Sequence, residues 1–171
     1  EKISFGVSEM IRKEGINITV DLHEASPEYP TINAIVAHED AMELASQALI
    51  NMQIEGMDIS LEPSPKNLHG LTHRELGDYT DTLAVLMETS NPSQGRLRGR
   101  TDESLVVNGI DKFDEKGHPI QERVARHITG IAQLASAYSE LGLGGSLVID
   151  GIPTYMDIAE GGLGSYLAHK Q

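Results

Sequence analysis

Three side chains able to hold a metal or move a proton stand together early in this chain: Asp21, His23 and Glu24. They close the apolar run Ile16-Asn17-Ile18-Thr19-Val20, whose β-branched residues predict a buried strand. Successive strand residues point to opposite faces, so Asp21 and His23 share one face and Val20 and Leu22 the other. The carboxyl ends of strands are where open α/β sheets place their ligand sites. A His in that position suits a metal ion, with Asp21 as the carboxylate that orients its ring. Taken alone, the stretch reads better as a strand-end His hydrogen-bonded to its own protein, because one His makes no metal site.

A second stretch adds a proton carrier. Thr82-Leu83-Ala84-Val85-Leu86-Met87 is another apolar run, and it ends on Glu88. Two strands that each deliver one functional group at the carboxyl end match the needs of a hydrolytic site, one group holding a metal and the other moving protons. The loop after Glu88 contains Pro92, Gln94, Gly95, Arg96, Arg98 and Arg100. Together with Arg74, these are the cations available for an anionic substrate end, since a guanidinium binds a carboxylate bidentately. The alternation at 96, 98 and 100 also fits a solvated edge facing the acidic stretch 101–117. For Glu88 the alternative is a buried carboxylate paired with Arg98 or Arg100.

Asp21-Leu22-His23 at a strand end resembles the third zinc-ligand motif of the succinylglutamate desuccinylase and aspartoacylase group, within the zinc carboxypeptidase superfamily. Glu88, followed by Pro92, Gln94-Gly95 and a nearby Arg, resembles the glutamate motif of the same group, where the Glu is the general acid/base. The order of the two motifs and the strand before each agree with that group, over about residues 16–100. The resemblance implies zinc as cofactor, His23 as one of its ligands, Glu88 as proton shuttle, and an N-acyl amino acid or small peptide as substrate. It also implies a mixed central sheet between helices, of which this chain would hold the later strands. The group's first two ligands lie in a His-x-x-Glu motif well before the third. Only 22 residues precede His23, none of them His, and residue 1 is Glu. The expectation is therefore a carboxyl-terminal part of a longer catalytic domain, with the remaining zinc ligands outside this chain. The alternative is a catalytically incomplete binding or interaction domain on the same fold. A metal-free acid/base couple of His23 and Glu88 is a third reading.

Composition narrows the classes. A chain of 171 residues, 39% hydrophobic and 23% charged, is expected to form one α/β domain across 1–171 with a real core. A formal charge of −13 opposes binding to a polyanion such as nucleic acid. With no Cys, disulfides and thiolate metal sites are excluded. No apolar run approaches a membrane span of ~20 residues, and no signal peptide is visible, so the expected setting is the cytoplasm. An apolar edge left by absent strands would favour homo-oligomers.

The elements that must position these groups follow from periodicity. Helix is expected over 4–14, with Phe5, Val7, Met10 and Ile11 as its apolar side and Gly15 as its stop. Strands are expected to His23, over 32–37 and over 57–61, and helix from His38 to about Gly56. Residues 62–79 read as a polar loop punctuated by Pro63, Pro65, Gly70 and Gly77, with His69 and His73 placed for substrate contact but solvated by default. His38 reads as a surface or capping residue, and His127 as partly buried within a helix from Pro119 to about Leu141. Tyr29 and Tyr79 are minor candidates for polarising a carbonyl. Over the Gly-rich end, 142–171, only a strand at 146–150 is expected.

Overall fold

A computed structural model of the protein describes residues 2–26, 29–67, 69–91, 106–107, 110–111, 120–164 and 166. Arg96, Arg98, Arg100, His118 and His169 lie outside the described residues, as does most of the acidic stretch. Its described part holds two short strands, β5 (Val106–Val107) and β6 (Ile110–Asp111), in an antiparallel pair; these labels follow β1–β4 of the main sheet.

The chain begins with α1 (Lys2–Glu14), and a left-handed glycine turns it into the first strand. Gly15 has φ +63°, and the Ile16 N–H donates back to the Ile11 carbonyl at 3.1 Å. That is a Schellman ending, which favours Gly at the turn and an apolar contact across it; Ile11 and Ile16 supply the contact. β1 (Ile18–Ala25) follows, then β2 (Ala34–Ala37), a 3₁₀ turn (Glu39–Ala41), α2 (Met42–Ile54), β3 (Ser60–Pro63), α3 (Thr72–Tyr79) and β4 (Leu83–Ser90). The chain then runs to α4 (Ile120–Glu140) and α5 (Tyr155–Gly161).

The sheet is mixed, in the order β1-β4-β2-β3. β1 pairs with β4 in parallel, and β2 with β3 in parallel through the α2 crossover. β2 runs antiparallel to β4. β4 is an interior strand with seven of its eight residues buried, which explains its near-continuous apolar run. Pro63 sits on β3, an edge strand, where its missing N–H costs no ladder bond.

Side chains alternate between two helical layers. Ile35, Ala37, Val85 and Met87 point into the main core with Leu44, Ala48 and Met52 of α2, Leu134 and Tyr138 of α4, and Ile158 of α5. On the opposite face Ala84 packs with Ile11 of α1 and Leu76 of α3. The carboxyl ends of β1 and β4 continue past that smaller cluster, and there the sheet face carries polar groups. This is the expected α/β arrangement of a mixed sheet between helices.

Three expectations are corrected. Residues 72–79 form α3 rather than loop. Residues 146–150 form no strand and are exposed. The expected strand at 57–61 begins only at Ser60, because Met57 and Ile59 are buried in the core as the chain turns into the sheet. No helix among the described residues is long and apolar enough to cross a membrane.

Candidate functional site

His23 and Glu88 are direct cross-strand partners on β1 and β4. Parallel neighbours lie ~4.8 Å apart with their side chains on the same face, so the two residues singled out by type stand side by side. Both line a cavity of about 200 Å³, with Leu86, Val36, Glu62 and His73 among its other walls. Asn33 fixes the end of β4 that carries Glu88. It holds a left-handed conformation, φ +51°, which Asn adopts more readily than most residues. Its carbonyl accepts the Ser60 N–H at 3.0 Å and its side-chain oxygen the Ser90 N–H at 3.4 Å.

Glu88 is 8% exposed. Its carboxylate makes no hydrogen bond or ion pair among the described residues. Burial pushes its pKa above the usual carboxylate range, and the neighbouring His23 only partly offsets the push. A buried carboxyl with raised proton affinity and an open side toward a cavity is suited to take up and return a proton. The pairing with Arg98 or Arg100 weighed above lies outside the described residues.

His23 is half-exposed, and its Nε2 lies 3.2 Å from Asp21 Oδ2. The contact is electrostatic; its angle falls short of a hydrogen bond, and that Oδ2 is buried without a hydrogen-bond partner. Nδ1 of His23 makes no hydrogen bond among the described residues. One ring nitrogen beside a carboxylate and the other uncommitted is the pattern of a metal-ligating His. The donor set therefore fits one zinc ligand, whereas catalytic zinc sites use three protein ligands.

Among the described residues, one other group could gather around an ion: His38, Glu39 and Asp78. A cation already sits in it. Arg74 donates from Nη1 to Glu39 at 2.6 Å and from Nε to Asp78 at 3.0 Å, with Nη2 closing a two-pronged contact to Asp78. That guanidinium, with the His38 side chain adding to it at Asp78, holds the Asp78 carboxyl far below its usual range. Glu39 is likewise drawn down to about 2, first by Arg74. A guanidinium committed in this way leaves no vacancy for a metal.

That network also corrects two expectations. Arg74, the first choice for binding an anionic substrate end, is 1% exposed, committed to Glu39 and Asp78, and absent from the cavity wall. It ties α3 to the 3₁₀ turn. His38 does cap that turn, accepting the Asp40 N–H at Nδ1, but it is buried rather than on the surface. Its accepting Nδ1 leaves Nε2 to carry the proton toward Asp78, 3.2 Å away. α3 packs over the ring because a Cβ at Gly77 would overlap it.

His73 lies at the site rather than in solvent. Expected in a solvated loop, it is 2% exposed on α3 and lines the cavity. Its Nε2 lies 2.9 Å from Ser64 Oγ. Burial lowers its pKa to about 4, with Asp21 pulling upward and His23 downward, so the ring is neutral at physiological pH. A helix assignment for 72–79 would have exposed it, since α3 turns its first residues toward the sheet. His69 is exposed as expected, 3.9 Å from Glu75. His127 is half-buried, and burial lowers its pKa. Tyr29 lines the cavity and Tyr79 does not.

No family model, curated protein or solved structure matches this chain.

Proposed function

We propose that this chain contributes the proton-shuttling half of a zinc-dependent hydrolytic site acting on the amide bond of an N-acyl amino acid or small peptide. The observation that carries the reading is Glu88: a buried carboxylate without a partner among the described residues, facing a cavity, with His23 beside it in register. Its raised proton affinity suits a group that accepts a proton from the attacking water and delivers it to the departing amine. His23 would be the one zinc ligand among the described residues, held in orientation by Asp21. Zinc, when bound, would polarise the scissile carbonyl and acidify water. The remaining ligands are to be sought outside the described residues. Arg96 and Arg98 keep their proposed role toward a substrate carboxylate, while Arg74 gives it up. The Asp-Leu-His and Glu88 motifs, and the resemblance they carry to the desuccinylase and aspartoacylase group, support the same reading.

A second reading follows from the incomplete donor set. With one ligand among the described residues, the cavity would serve a binding domain without turnover.

Zinc content per chain separates the two. In the protein expressed from its gene, the hydrolytic reading predicts close to one zinc after dialysis and loss of that zinc in His23→Ala. Zinc retained in full by His23→Ala would remove His23 as a ligand, and no zinc in either form would favour the binding domain.

A further inference from the structure

The cavity beside Glu88 extends across the sheet face, and its far wall carries a second carboxylate. Register sets the layout. Leu86 of β4 pairs with Val36 of β2, and Val36 with Glu62 of β3. These three side chains share the face that bears Glu88 and His23, and all line the same cavity. Two strand intervals and a two-residue offset along the strands separate Glu88 from Glu62, roughly 12 Å between backbone positions. The floor between them is Leu86 and Val36, and Leu71 and Pro65 close the walls. Glu62 makes no hydrogen bond or ion pair among the described residues, and no Lys or Arg is among the described residues lining the cavity.

We propose that Glu62 is a specificity residue, and that the cavity takes a substrate whose side chain is an apolar stem ending in a cation: an N-acylated basic amino acid. This rests on the hydrolytic reading of Glu88 and His23, which places the scissile amide at their end. A stem of about four methylenes then crosses Leu86 and Val36, burying apolar surface. Its cationic end meets Glu62, whose charge offsets the cation's lost hydration. An anionic side-chain end would meet Glu62, of its own sign, and no described cation, so it is disfavoured. This specificity concerns the substrate's side chain alone.

The test is equilibrium binding of three probes that differ only at the side chain: Nα-acetyl-lysine, Nα-acetylnorleucine and Nα-acetylglutamate. Calorimetry gives the affinity, and the amide resonances of Val36 and Leu86 report the place. The lysine probe is expected to bind about twofold to fivefold more tightly than norleucine, with glutamate weakest. In Glu62→Gln the lysine advantage disappears while norleucine affinity holds, and in Glu62→Lys the glutamate probe becomes the best ligand. Glu62 is exposed on an edge strand, so melting temperatures of these variants should match the parent. Equal binding of lysine and norleucine, an advantage that survives Glu62→Gln, tightest binding of the glutamate probe by the parent, or no binding of any probe would each overturn the proposal. Turnover is read separately. Selective binding of the lysine probe without hydrolysis would keep this inference and reject the hydrolytic reading; hydrolysis without selectivity would do the reverse.

Discussion

At the residue scale, two buried groups respond to pH in ways that can be measured. His73 titrates at about 4 in the folded chain, against about 6.5 when unfolded. The unfolded state therefore binds the extra proton first as pH falls. The stability from a neutral His73 is fully present above pH 6.5 and is lost as pH drops through the window from 6.5 to about 4. The loss is about 3 kcal/mol, and His73→Asn should flatten it in denaturant melts taken across that window. An unchanged acid limb would separate His73 from the acid sensitivity. Arg74 makes a different prediction. Its guanidinium is buried against two carboxylates, so Arg74→Ala removes the cation that holds Glu39 and Asp78 together. The expected result is a loss of roughly 2–3 kcal/mol in stability with ligand affinity at the Glu88 cavity unchanged. A weakened affinity in a fully folded variant would return Arg74 to the site.

At the scale of elements, Gly130 sets how closely α4 approaches the sheet. A Cβ there would overlap the Met87 side chain, and Met87 immediately precedes Glu88 on β4. Gly130→Ala must push α4 outward or force Met87 into a poorer rotamer, at about 1–3 kcal/mol. Thermal melts of that variant check the figure; a neutral outcome would show that the helix yields freely. The elements also show where sequence reading succeeds. α4 and α2 carry apolar residues at helical spacing, and β4 is a plain apolar run, so local pattern reveals them. α3 has no such stripe. Leu76 is its one buried apolar side chain, Tyr79 being exposed, and its other inward positions are His73, Arg74 and Gly77. Beside the Leu76–Ala84 contact with the sheet, an ion pair to Glu39 and a hydrogen bond to Ser64 tie α3 to the 3₁₀ turn and to the segment after β3, and binary patterning registers neither. α5 was hidden by its length: seven residues, started by a reciprocal Thr154–Asp157 cap.

For the whole molecule, the pairing of His23 with Glu88 was legible only in outline. Each residue announced itself at the end of an apolar run. Their adjacency depends on β1 and β4 meeting in parallel across the 57 residues between Ala25 and Leu83, which no local signal encodes. Glu62 gave no signal, since a surface Glu on a short strand is ordinary until register places it over the same cavity. The burial of His73 and the sequestering of Arg74 are likewise tertiary facts. Among the described residues β1 is an edge strand, with Leu22 44% exposed beside His23. An unpaired edge next to the site is a place where further strands or a second copy can pair.

The central claim is that Glu88 moves the proton in an amide hydrolysis. The measurement that tests it most directly is hydrolysis of N-acyl amino acids by the parent and by Glu88→Gln, with zinc content determined on the same samples. Gln keeps the shape of the side chain and cannot accept the proton. The account predicts that turnover falls by roughly 100-fold or more while bound zinc is unchanged. It also predicts that the acid limb of the parent's profile lies above the ordinary carboxylate range, as the burial of Glu88 requires. Turnover retained by Glu88→Gln at full zinc occupancy would contradict the claim.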